Sequence, residues 1–312
     1  MNLDIQQKIA QFSLKNQPWI RLHHQQVDLI QALQKQYNIN ISDQMNRAVI
    51  EENGFFIIPI ELVVLYAEHY VETRIVFAFN QNILISLEDM QYTDPLDHAQ
   101  HKLNEHLENV LELHTGQLLF HILQSLNETT HIAIREISLQ LDERSELVAL
   151  ASGGFEFSKS QAGVADIADT AIALGEAEEL VAKTIEGQLM LARASRWLRR
   201  MSKQTSLHAH ISLLISDIHS LKRYALFQHD KIRNLQQSLM TTMDIKQNQV
   251  VKVFTVVTAV FTPPTLITAF YGQNFAYMPE LTLQYGEWIV MLLTGFFSLV
   301  PLLYIKYKGW MR

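Results

Sequence analysis

Two apolar runs near the C-terminal end constrain this chain more than anything else in it. Val250 to Phe270 (VVKVFTVVTAVFTPPTLITAF) carries one charge, Lys252, and Trp288 to Ile305 (WIVMLLTGFFSLVPLLYI) carries none. At about 1.5 Å per helical residue each reaches across a hydrocarbon layer of about 30 Å, the second only just. A polar loop joins them, so the pair reads as a membrane hairpin; the competing reading is a buried hairpin in a soluble domain. Lys246, Lys252, Lys306, Lys308 and Arg312 flank the spans on one side, whereas the loop holds Glu280 and Glu287 and no Lys or Arg. The positive-inside bias therefore puts both termini in the cytoplasm and the loop outside. Tyr271, Tyr277, Tyr285 and Trp288 mark the outer interface, and Tyr304, Tyr307 and Trp310 the inner one. No signal-peptide pattern opens the chain, so the bulk of it is expected in the cytoplasm.

The first span has a polar stripe. Thr255, Thr258, Thr262 and Thr265 recur at spacings of 3, 4 and 3, which keeps them on one helical face. Val251, Asn248 and Asp244 extend that face backwards and Ala269 extends it forwards. A threonine in a membrane helix commonly bonds its own i−4 carbonyl. Four on one face, continued by an amide and a carboxylate, point to a surface that meets water or a polar partner. Two spans enclose no pore by themselves, so the stripe lines a conduit only if several copies surround an axis. The alternative is a dimer-sized helix contact with no conduit. Pro263-Pro264 should bend the span and free backbone carbonyls, which can point into a water-filled lumen.

The segment Tyr271-Gly272-Gln273-Asn274-Phe275, followed by Tyr277-Met278-Pro279-Glu280-Leu281, resembles the signature of the CorA family of divalent-cation transporters. There the first of two C-terminal helices ends in Gly-Met-Asn or, more broadly, Gly-x-Asn. Asn248-Gln249-Val250-Val251-Lys252-Val253 is similar to the family's approach to that helix, and Pro263 and Lys308-Gly309-Trp310 also fit. The resemblance is sharp over about residues 245–312. It implies a homopentamer: five first helices around a pore, a second ring outside, and a funnel-shaped cytoplasmic domain. It implies further that Gly272 and Asn274 form a selectivity ring at the outer mouth, with Gln273 beside them, and that Asn248 forms a polar ring near the inner mouth. Mg²⁺ dehydrates reluctantly, so a ring of Asn274 amides would hold it through its waters, and Glu280 would raise the local cation concentration.

The chain departs from the family at three places. Gln273 replaces Met, Thr262 replaces a bulky apolar residue, and Ala269 replaces a glycine, so an apolar constriction would rest on Phe254 or Val251. Motifs without Met also occur in the Zn²⁺-transporting ZntB-like branch. The family's regulatory stalk carboxylates would fall on Leu213 and Gln237. The acids present on this tract are Asp217, Asp230 and Asp244, and Asp244, one turn below Asn248, is the candidate metal-binding ring at the inner mouth alongside Asn274 at the outer one.

Residues 1–245 are expected to form a cytoplasmic α/β/α domain that includes a stalk helix. Residues 246–312 form the transmembrane domain: spans at about 250–271 and 288–305, an outer loop at 272–287 and a tail at 306–312. Strands are expected at Trp19–Leu22, Phe55–Ile58, Thr73–Phe79 and Ile83–Leu87, with a helix over Gln25–Tyr37. From Asp94-Pro95 the chain reads as long helices, over about 117–150, 164–201 and 207–271, the last free of glycine and of proline before Pro263. With 312 residues, 48% of them apolar, a sizeable core is available. The absence of cysteine removes disulfides and thiolate chemistry. A net charge of −7 without a basic patch argues against nucleic acid as a partner. The partners expected are lipid, divalent cations and further copies of this chain.

His98 and His101, beside Asp94, Asp97 and Glu105, could share a helical face as a metal site, or form a solvated, pH-sensitive surface. No phosphate-cradling glycine loop, HExxH or nucleophile elbow is present, so no enzyme and no resident cofactor is expected. Three readings follow: a pentameric Mg²⁺ channel or transporter that could also pass Co²⁺ or Ni²⁺, a Zn²⁺ transporter with possible proton coupling, and a membrane-anchored cation sensor without flux.

Overall fold

The computed structural model describes residues 18–42, 49–66, 69–89, 93–107, 113–152, 164–202, 204–273, 278 and 283–309. The chain forms two compact units, Met1–Gln236 and Gln237–Arg312.

In the first unit five strands form one sheet: β1 (Trp19–His23), β2 (Ile50–Glu52), β3 (Phe55–Tyr66), β4 (His69–Phe79) and β5 (Leu84–Glu88), in the order β1-β5-β4-β3-β2. β1 runs parallel to β5, with Trp19 opposite Leu84, and the other pairs are antiparallel. Alternation along each strand builds two cores. Ile58, Ile60, Leu62 and Val64 of β3, with Ile75, Phe77 and Phe79 of β4, face one side; Phe55, Ile57, Val76 and Ala78 face the other. The second side is covered by α1 (Val27–Tyr37) through Ile30 and Leu33. The first is covered by α2 (Asp94–Leu107), α3 (Thr115–Ser152), α4 (Val164–Met201) and the N-terminal part of α5 (Thr205–Tyr271). A sheet sandwiched this way must be apolar on both faces, which is why FFIIPIELVVLY reads as an almost unbroken hydrophobic run.

The strands are longer than the sequence patterns suggest. β3 spans 12 residues and β4 spans 11, paired from Phe56↔Phe79 to Tyr66↔His69. The polar residues that interrupt the pattern are satisfied across the ladder, where Arg74 Nε meets Glu61 Oε1 at 2.7 Å. Pro59 is tolerated because β2 covers only Phe55–Ile57, which leaves Pro59 on the open edge of β3. There the Glu61 N–H turns away from β4 and donates to Met190 Sδ at 3.3 Å, so α4 closes the edge. β2 was not expected; its signal is the Asn53-Gly54 turn, both residues at positive φ (49° and 80°), which makes it a tight hairpin with β3.

α3, α4 and the first part of α5 pack through stripes spaced by alternating threes and fours. On α5 the buried set is Leu207, Ile211, Leu214, Ile218, Leu221, Ala225, Gln228 and Ile232. This is a coiled-coil seam with one amide in it. Gln228 Nε2 donates to Ser138 Oγ at 3.0 Å and the Tyr224 hydroxyl donates to the same oxygen at 2.9 Å, while Lys231 pairs with Asp142 further along. Both helices advance together through these contacts, so α3 and α5 are parallel.

The second unit holds the C-terminal part of α5 and α6 (Gly286–Tyr307). Both helices are long and apolar enough to cross a membrane, and the apolar window of each is 0% and 6% buried respectively. A soluble core helix would be covered; these are not, which favours the membrane reading over the buried hairpin.

Candidate functional site

The polar stripe occupies one exposed face of α5. Asp244, Asn248, Val251, Phe254, Thr255, Thr258, Thr262, Thr265 and Ala269 are all exposed, Phe254 at 68%. The less exposed residues of the same stretch are Val256, Ala259, Val260, Pro263, Pro264, Ile267 and Tyr271. At about 100° per residue the two sets fall on roughly opposite sides of the helix. On α6 the half-covered or buried positions, Gly286, Val290, Thr294, Ser298, Pro301, Leu302 and Ile305, also form one stripe. Each helix thus carries one less exposed stripe along its length. The threonine face lies on the exposed side of α5, opposite its less exposed stripe.

Local hydrogen bonding qualifies the polarity of that face. Thr255 donates to the Val251 carbonyl at 2.8 Å, Thr258 to Phe254 at 2.7 Å and Thr265 to Phe261 at 2.7 Å. Three of the four stripe hydroxyls are thus satisfied by their own helix and present oxygen lone pairs and methyls outward. Thr262 makes no such bond. The helix runs unbroken through Pro263 and Pro264. The carbonyls these prolines free are those of Ala259 and Val260, on the half-covered face, so they are turned away from the threonine side instead of toward it.

α5 ends at Tyr271. The Gly272 N–H donates to the Thr268 carbonyl at 2.9 Å and the Gln273 N–H to the Phe270 carbonyl at 3.3 Å, so the backbone is still winding at Gly-Gln. A Cβ on Gly272 would stand 3.1 Å from the Thr268 oxygen, tighter than most side chains tolerate. Asn274 and Glu280 lie outside the described residues.

Among the described residues no group of three or more His, Asp or Glu side chains is placed to hold a metal ion. Asp244 is exposed with no acidic neighbour on its turn. His101 Nδ1 reaches Glu105 Oε1 at 3.4 Å on the surface of α2, one turn away and 77% exposed. That pair lies on a solvated helix face. His208 Nε2 and His210 Nδ1 instead meet the carbonyls of Ser202, at 2.7 Å, and Ser206, at 3.0 Å. A cavity of about 210 Å³ in the first unit, lined among others by Phe79, Asn80, His114, Leu198 and Met201, presents one titratable side chain, His114.

The polar cluster that sequence reasoning missed lies in the first unit. Arg21 on β1 forks onto Glu88 at the end of β5 and reaches Asp97 and Gln100 of α2 and the Thr93 carbonyl. It ties the sheet edge to α2, and nothing in the local pattern around Arg21 announces partners 67 to 79 residues away.

The chain is 38% identical over 102 residues to the magnesium transport protein CorA of Campylobacter jejuni, covering 33% of this chain and 31% of that protein. It thus spans about a third of the length of the first curated relatives it matches. The fold is similar to the complete CorA magnesium transporter of Methanocaldococcus jannaschii, with TM-score 0.73 and 19% identity over 94% of this chain and 91% of that one. It is also similar to the ZntB cytoplasmic domain of Vibrio parahaemolyticus, with TM-score 0.54 and 14% identity over 72% and 87% of the two chains. The model of the CorA-like Mg²⁺ transporter protein family matches residues 16–307, and the chain belongs to that family.

Proposed function

We propose that this chain is one subunit of an oligomeric divalent-cation channel or transporter in the cytoplasmic membrane, with Mg²⁺ as its principal ion. The observation that carries the reading is the exposed polar face of α5, from Asp244 to Ala269, set opposite the less exposed stripe of the same helix. In hydrocarbon such a face needs like faces around a common axis, and a ring of them encloses a lumen with α6 on its outer side. The named function of the relatives, magnesium transport, gives that lumen its cargo.

The finer assignments belong to the same proposal. Five copies form a funnel, residues 1–245 are the cytoplasmic part with the stalk, and residues 246–312 are the membrane part with both termini inside. Gly272, Gln273 and Asn274 form the outer mouth and Glu280 draws cations toward it. Asp244 and Asn248 line the inner mouth, and Val251 and Phe254 narrow the path. A water-mediated ring of amides discriminates by hydration more than by ligand softness, which suits Mg²⁺ and leaves room for Co²⁺ or Ni²⁺.

Ion-specific uptake by reconstituted protein tests this directly. Mg²⁺-dependent flux is expected, and Asn274→Ala should abolish it while the assembly stays intact. Zn²⁺ uptake that outcompetes Mg²⁺ across a pH gradient would move the chain to the zinc reading. Absence of flux for every divalent cation would leave a membrane-anchored sensor.

A further inference from the structure

The cavity of about 210 Å³ in the first unit belongs to neither the threonine face nor the Arg21 cluster. It lies where three helix ends meet the turn between β4 and β5: α3 starts at Thr115, α4 stops at Met201 and α5 starts at Thr205. Its floor is apolar. Phe79, Leu198 and Leu207 are buried there, and Met201 is half-buried beside them. Its rim is polar. Asn80, Ser202 and Gln204 are half-buried, and Gln81 and His114 are exposed, so the cavity reaches solvent.

Much of that rim has no partner in the fold. The Ser202 hydroxyl accepts from the Gln204 N–H at 3.3 Å, and Asn80 Oδ1 accepts from the Asn82 and Ile83 N–H groups at 2.8 and 2.9 Å. The Asn80 amide nitrogen, the side-chain amides of Gln81 and Gln204 and the His114 imidazole make no hydrogen bond or ion pair. A carboxamide offers donors and an acceptor at once, and a neutral imidazole one of each.

This chemistry limits the occupant. None of the described residues that line the cavity is Asp, Glu, Lys or Arg. A divalent cation would find no carboxylate oxygens there, and a multiply charged anion no counter-charge. The volume exceeds the roughly 150 Å³ of an apolar cavity that holds benzene and falls short of the roughly 300 Å³ at which drug-sized ligands begin. It is the space of one or two fused rings.

We propose that this cavity is a binding site for a small uncharged nitrogen heterocycle of nucleobase size. Its ring lies against Phe79, Leu198, Met201 and Leu207, while its edge donors and acceptors meet the amides of Asn80 and Gln204 and the imidazole of His114. Such an occupant joins the end of α4 and the start of α5 to the β4–β5 turn. α5 continues from there as one helix to Tyr271, so the ligand touches the element that carries the threonine face. Binding at this site does not depend on the transport reading.

The test uses the full chain in lipid nanodiscs and ligand-observed saturation-transfer NMR, with adenine and uracil as probes and benzoate as a charged ring of similar size. Adenine should bind with a dissociation constant below about 1 mM, and benzoate at least about tenfold more weakly. Gln204→Ala with His114→Ala should weaken adenine at least about tenfold and leave the melting temperature unchanged, because neither side chain has a partner to lose. Gln124→Ala, an exposed amide elsewhere on α3, should change nothing. Should the double variant melt early, His114→Ala alone decides, since that side chain is exposed. No binding of adenine or uracil at about 5 mM, tighter binding of benzoate, or equal affinity in wild type and the His114 and Gln204 variants would overturn the site. Divalent-cation uptake on the same preparation tests the transport reading separately, because a silent protein leaves the binding comparison standing.

Discussion

Glu88 ends β5 with its side chain 1% exposed, gripped by the Arg21 fork, and with His23 Nδ1 3.7 Å from the same carboxylate. Burial outweighs the guanidinium and pushes the carboxyl up to about 7. The sign of the linkage follows. Between about pH 4.5 and 7 the folded chain holds a proton here that the unfolded chain has released, so this group's contribution to stability rises as pH falls through that window. His23 and His24 are lowered by burial and work the other way, losing stability on acidification. Comparing wild type with Glu88→Gln isolates the carboxyl. From pH 5 to pH 8 the variant should gain on wild type by the order of 2 kcal/mol in denaturant melts, and parallel profiles would contradict it. Gly187 gives a second prediction at this scale. A Cβ there would stand 2.7 Å from the Glu61 carbonyl oxygen, a backbone atom that cannot step aside. Gly187→Ala should cost about 2 kcal/mol, or roughly 4–8 °C in melting temperature. Gly175, on the same helix with nothing within 4 Å, should gain up to about 1 kcal/mol on the same change. Equal outcomes at the two glycines would show that α4 does not lie against the edge of β3.

Among the elements, α5 carries both halves of the molecule's logic on one helix of 67 residues. Its first part is a seam helix whose alternating three-and-four spacing was readable as helix but not as a bundle. The residues that choose its neighbours, Ser138, Tyr224 and Gln228, are ordinary polar letters until they meet. Its last part offers the threonine face, and of the stripe only Thr262 keeps its hydroxyl uncommitted to the backbone. Under the proposed pore, Thr262→Leu should slow cation uptake roughly tenfold by drying the lumen at that level. An unchanged or faster variant would mean that this face does not line the path. The long helices were legible within about two residues at their ends, because helical spacing sustained over 38-residue and 67-residue tracts leaves the chain little choice. β2 and the far halves of β3 and β4 were not, since short or polar strands exist only through their pairing partners.

For the whole molecule, the proposed pore demands identical copies. Mass determination in detergent or nanodiscs should return a single closed oligomer, five subunits by the family's resemblance, and monomers alone would leave the polar face of α5 without a purpose. The family and the membrane hairpin were written in local sequence. Two predominantly apolar runs and a Gly-x-Asn signature owe nothing to the rest of the chain, because a span's length and hydropathy are properties of the segment itself. Only the tertiary structure decided which face of α5 is covered, where the prolines' freed carbonyls open, that α4 seals the edge of β3, and that Arg21 joins the sheet to α2. Those facts depend on what lies across from each side chain, and residues far apart in the chain become neighbours only when the packing that buries them has formed.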